Sequence, residues 1–155
     1  MKLISLVAMA ALAIPCYALQ GHKAEVFSGK DVASQLSALA QKAKATGSSG
    51  ATLGDYTTHA IKLSVRTGSG GAEIHGHYDD IFFVTEGQAT LVTGGTVVDA
   101  KSKADGETAG SKIENGTSQT IAKGDVVHIP AGTPHQLLLH GGVFSAIVIK
   151  VKETQ

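Results

Sequence analysis

Tryptophan is absent from this 155-residue chain and cysteine occurs once, at Cys16. A disulfide framework is thereby excluded, and so is a structural zinc site built on thiolates, because each needs several sulfurs. An excess of charge is lacking as well, since 13 Lys and Arg face 13 Asp and Glu. With no net field to gather phosphates, neither nucleic acid nor an anionic membrane is indicated, and the expected partner is a small molecule or an ion. The apolar run at residues 3–14 is shorter than the roughly 20 residues a membrane-crossing helix needs. A repeat of fixed period is missing, and the length fits one domain with a core of its own.

The first 18 residues carry a reading of their own. Lys2 gives a positive start, residues 3–14 are apolar, and Cys16, Tyr17 and Ala18 end on a small residue past a turn at Pro15. This is the pattern of a secretory signal peptide cleaved after Ala18; a membrane anchor and a lipidated Cys16 are the alternatives. Cleavage removes the one cysteine and leaves a secreted or periplasmic protein, off the membrane, whose metal chemistry is restricted to nitrogen and oxygen ligands. Residues 19–51 then form a lead-in and helix, and residues 52–155 a β-domain.

What is plentiful is glycine, at 19 residues, together with Val, Ile and Thr beyond residue 52, a mixture that favours short strands and tight turns. Between residues 28 and 46, Ser28 and Asp31 make a capping box with Asp in the usual Glu position. Val32, Leu36, Leu39, Ala40 and Ala43 then recur at helical spacing up to Gly47, which predicts one helix packed on the outside of the domain. Further on the period becomes two. His59, Ile61, Leu63 and Val65 alternate with Ala60, Lys62, Ser64 and Arg66, and the first set is expected to face inward. Antiparallel strands are expected at residues 72–77, 81–85, 88–93, 121–129, 136–139 and 143–151. The polar residues 99–118 read as a long loop or hairpin tip, able to act as a lid or a dimer contact, and carry an Asn115-Gly116-Thr117 glycosylation triplet.

The chemistry concentrates in two of these segments. Alternation over residues 72–77 places Glu73, His75 and His77 on one strand face, where two imidazoles can grip a single ion. Asp79 and Asp80 follow, either of which supplies a carboxylate for a two-histidine, one-carboxylate set, a set that suits non-haem iron. A third histidine, His135, stands immediately after the rigid turn Pro130-Ala131-Gly132-Thr133-Pro134. Glu73 and His59 are the candidate acid/base groups, with Glu73 an alternative ligand; His59 is otherwise a core histidine. His128 belongs beside the site in a supporting or surface role, Phe82 and Val84 belong in the pocket wall or equally in plain core packing, and Tyr78 reads as surface.

These residues resemble the two motifs of the cupin superfamily. Gly70 or Gly71, His75, His77, Asp80 and Gly87 stand nearly where the first motif has Gly, His-x-His, Glu and Gly. Gly124, Pro130, Gly132 and His135 match the second, more specific motif, and the likeness covers residues 55–151. Asp80 replaces the usual glutamate and sits one residue closer to the histidines; Leu139 replaces the usual asparagine. The resemblance implies an all-β fold, an antiparallel jelly-roll barrel covered by the N-terminal helix. It also implies a divalent metal (Fe, Mn, Ni or Zn) on His75, His77, Asp80 and His135, and a homodimer. Three uses of that site are open: a small-molecule metalloenzyme of oxygenase, isomerase or lyase type, a non-catalytic ligand-binding module, or a structural barrel.

Overall fold

A computed structural model describes residues 23–153; the signal-peptide reading of residues 1–18 falls outside the described residues. Helix α1 (Gly29–Thr46) starts where Ser28 Oγ accepts from the Asp31 N–H at 3.1 Å, and stops at Gly47, whose φ of 80° is left-handed. Loss of that cap through Ser28→Ala is expected to lower stability by about 1 kcal/mol, read from urea unfolding. An unchanged midpoint would show that the cap does not hold the helix.

Thirteen short strands follow among the described residues. One sheet runs in the order β1 (Ser48–Asp55), β2 (His59–Arg66), β13 (Phe144–Lys152), β4 (Tyr78–Glu86), β11 (Val126–Ile129). The other runs β10 (Thr117–Ala122), β5 (Gln88–Thr93), β12 (His135–Leu138), β3 (Ala72–His75), β8 (Glu107–Gly110), β7 (Lys101–Ser102), and β6 (Thr96–Val98) pairs with β9 (Lys112–Glu114) as a separate ribbon. Every pairing is antiparallel. The result is the expected mostly-β barrel with one N-terminal helix.

Two apolar clusters hold these layers. Phe82, Val84, Leu91, Ile121, Ile129, Leu137, Phe144 and Val148 meet between the sheets. Leu39 and Ala43 of α1 bury Leu63 and Val65 of β2 on the outer side, with Ile147 of β13 packed beside them.

The second cluster reverses one expectation. The apolar face of β2 is spent under the helix, so the opposite face, with Lys62, Ser64 and Arg66, lines the barrel cavity. Three element boundaries also change. β1 already begins at Ser48, upstream of the expected boundary at residue 52. Residues 121–129 divide into the end of β10 and β11, with Gly124 at φ 97° between them. Residues 99–118 are no bare loop: β8 pairs residue for residue with β3, from Ala72 opposite Gly110 to His75 opposite Glu107. Backbone hydrogen bonding to a neighbouring strand orders this segment without any apolar alternation of its own.

Candidate metal centre

β3 and β12 are adjacent strands in one sheet, with Glu73 directly opposite His135. The proline-rich turn before β12 is tied to β3, because Gly132 donates its N–H to the His75 carbonyl at 2.8 Å and Thr133 closes on Pro130 at 3.1 Å. Three ligand-type side chains, Glu73, His75 and His135, therefore converge, each offering an atom within 4.8 Å of the others. They lie on the wall of a cavity of about 490 Å³ together with Asp80, Phe82 and Lys150.

His135 is buried, and its Nδ1–H donates to the Thr133 carbonyl at 3.0 Å, which leaves Nε2 as the lone pair. Burial pushes its pKa down, against the opposing pull of that carbonyl, so the ring is held in the neutral form that a metal requires. His75 is flanked by two carboxylates, Glu107 Oε2 at 2.5 Å from Nδ1 and Asp80 Oδ2 at 3.3 Å from Nε2. Burial alone would lower the His75 pKa, but Asp80 and Glu107 outweigh it and raise the value.

Asp80 is itself buried, and its second oxygen accepts from Lys150 Nζ at 2.8 Å. Desolvation raises its pKa, and the hydrogen bonds from His75 and Lys150 more than reverse this, leaving the carboxyl below its usual range. The donors are all nitrogen and oxygen, one imidazole is held neutral and the other is oriented by a carboxylate. That chemistry fits a divalent ion in the manner of carboxylate–histidine–metal sites.

The structure distributes the other candidate residues differently. His77 does not share the face of Glu73 and His75, because β3 ends at His75 and Gly76 donates to the Gly106 carbonyl at 3.1 Å, turning the chain. The His77 ring lies against Gly106, outside the cluster of Glu73, His75 and His135. Asp80 stands beside the histidines, 4.0 Å from His135 Nε2. Asp79 instead accepts from the Ala131 N–H at 2.8 Å and lies 3.2 Å from His128, which is exposed. His59 is away from the cavity, stacked on Tyr56 with ring centroids 4.7 Å apart. Phe82 lines the cavity; Val84 belongs to the apolar core.

Two kinds of residue at this site are missed by the reading of the sequence. Glu107 lies in a polar stretch and reaches His75 only through a strand pairing that spans 32 residues. The cations Lys62, Arg66 and Lys150 line the cavity from the opposite sheet. The amphipathic helix was the clue to the first two of these, since it demanded an apolar strand face of its own.

No family model matches the chain, and no curated protein matches it. Solved structures do resemble it. The Cnp3 cupin domain of Schizosaccharomyces pombe superposes with a TM-score of 0.52 at 13% identity, over 68% of this chain and 65% of that one. KdgF from Halomonas sp. gives 0.51 at 13% identity, over 70% of this chain and 82% of that one. The DMSP lyase DddQ from Ruegeria pomeroyi gives 0.51 at 16% identity over 70% of this chain, which spans only 48% of the lyase. The chain shares the cupin-type barrel fold of these structures.

Proposed function

We propose that this chain is an exported, single-domain metal-binding cupin that acts on a small molecule inside its barrel, with residues 1–18 as the cleaved leader. The observation that carries the reading is the convergence of Glu73, His75 and His135 on one cavity wall. His75 and His135 would hold a divalent ion with Glu73, and Asp80 stands within reach as a further carboxylate. When bound, the ion supplies a Lewis acid with open coordination positions. The residues of the chain do the rest. Thr133 and Glu107 fix the imidazoles, Phe82, Leu137 and Val148 keep one side of the cavity apolar, and Asp80, locked to Lys150, keeps a negative charge beside His75. Catalysis is favoured over simple binding because Glu73 lies in the cavity as a carboxylate able to take a proton when it is not ligating. A fold of this kind also carries the DMSP lyase.

Metal content by inductively coupled plasma mass spectrometry tests the reading, on protein purified without chelator or affinity tag. Near one equivalent of Fe, Mn, Ni or Zn is expected in the wild type and almost none in His75→Ala/His135→Ala. Equal, negligible content in both after incubation with each metal would remove the proposal. A His77→Ala variant is expected to retain its metal, since His77 lies outside the cluster.

The affinity should also depend on pH with a definite sign. Metal must displace the His75 proton, whose pKa is raised by Asp80 and Glu107 against the effect of burial. Apparent affinity is therefore expected to fall with decreasing pH, starting above the ordinary imidazole value of about 6.5, in chelator-competition titrations. A flat affinity across neutral pH would show that His75 is not displaced by the ion.

A further inference from the structure

The cavity has two walls of different chemistry. The metal-type ligands lie on β3 and β12, whereas Lys62, Ser64 and Arg66 of β2 occupy the facing sheet. Lys150 is neutralised by Asp80 at 2.8 Å. Lys62 and Arg66 have no such partner: neither forms an ion pair among the described residues. The Nε of Arg66 is buried without a hydrogen-bond partner, again among the described residues.

The position of Arg66 is built rather than incidental. Its guanidinium lies across Gly70, where an added Cβ would come within 2.6 Å of Nη1. Gly70 is fastened to β12 by its N–H to the Leu137 carbonyl at 2.9 Å, and to Gln136, whose Nε2 donates to the Gly70 carbonyl at 2.8 Å. Arg66 is thus held at the level of Leu137, two residues along β12 from His135. Two residues of strand correspond to about 7 Å.

We propose that this cavity holds an anion station, and that it takes a small organic carboxylate whose acid group sits on Arg66, with Lys62 adding positive charge at the exposed rim, while its other end reaches the metal. The inference deepens the metal-binding reading and depends on it only for the second anchor. A planar guanidinium with free donors matches a carboxylate in a way that a neutral ligand does not. The charge is consistent as well. With Lys150 and Asp80 cancelling and Glu73 facing a divalent ion, Arg66 and Lys62 leave the cavity positive, and an anionic guest is the one it attracts. The cavity volume of about 490 Å³ accommodates an acid of a few carbons.

The test is calorimetric titration of protein obtained from the full chain, with oxalate-to-adipate dicarboxylates, inorganic phosphate and the neutral analogue succinamide as probes. Metal content is measured on the same samples, and metal-free protein is titrated in parallel. At least one dicarboxylate is expected to bind the wild type, about tenfold or more weaker to Arg66→Gln and weaker also to Lys62→Gln, with succinamide silent and the metal content unchanged. Gly70→Ala, which displaces the guanidinium without removing it, should weaken binding in the same direction; thermal melts of all variants separate this from loss of folding. Acid binding that depends on Arg66 in protein that takes up no metal would uphold the station while the metal reading fails. Equal binding to wild type and Arg66→Gln, or binding of no acid at all, overturns the proposal whatever the metal content. Arg66-dependent binding of phosphate alone overturns the carboxylate assignment.

Discussion

Asp80→Ala is expected to destabilise the metal-free barrel by about 3 kcal/mol, because it strips a buried carboxylate from two partners and leaves their charge behind. Asp80 is 4% exposed and holds Lys150 Nζ at 2.8 Å and His75 Nε2 at 3.3 Å. For a domain of this size the loss corresponds to a fall of about 10 °C in the thermal midpoint. A double replacement, Asp80→Leu with Lys150→Met, should recover much of the difference, since an apolar pair of similar volume does not carry the desolvation cost. A single variant within 1 kcal/mol of wild type, on the order of error for a surface change, would mean that the pair contributes nothing.

The same pair has a predictable pH profile. Burial raises the Asp80 pKa, and the His75 and Lys150 hydrogen bonds bring it below the ordinary value. Its contribution is therefore present above an unfolded value of about 3.9 and is lost as pH falls through the lower folded one. His75 runs the other way: its raised pKa gives stability that is present below about 6.5 and fades as pH rises through the folded value. The metal-free protein should accordingly be most stabilised by this cluster between those two limits. Asp80→Asn should flatten both limbs in pH-dependent thermal melts.

Glu107→Ala is expected to weaken metal binding by about 10- to 100-fold while leaving the fold intact. The carboxylate touches His75 Nδ1 at 2.5 Å yet its side chain is 32% exposed, so its removal orphans little buried surface. What is lost is the group that orients the ring and raises its basicity. Chelator competition with zinc, set beside a thermal melt, separates the two effects. Undiminished affinity would show that β3 alone positions His75.

Much of the fold and half of the candidate site can be read along the chain. The helix follows from a cap, an apolar stripe and a terminal glycine, all within 20 residues. The turn before His135 follows from its two prolines, which restrict the backbone locally. His75 and His135 meet because the turn between Ile129 and His135 is bonded back to β3, and the motif spacing anticipates this meeting. His77 fails for a local reason: alternation presumes a strand that continues, and Gly76 turns it. Lys62 and Arg66 fail for a tertiary one. Period two divides β2 into two faces without saying which is inside, and the helix covering Leu63 and Val65 decides it. Glu107 depends on a pairing between distant segments, which composition does not encode.

That pairing has a consequence for how such a site can diversify. Asp80 does most to raise the basicity of His75, and Glu107 adds to it from a polar arm whose flanking residues, from Asp99 to Gly106, are exposed and carry none of the core. Exchanging Glu107 for a neutral or longer side chain would retune the electron donation reaching the ion without disturbing a single barrel wall. The chain thus keeps one adjusting screw at the start of the strand beside His75, away from the apolar core that holds the barrel together.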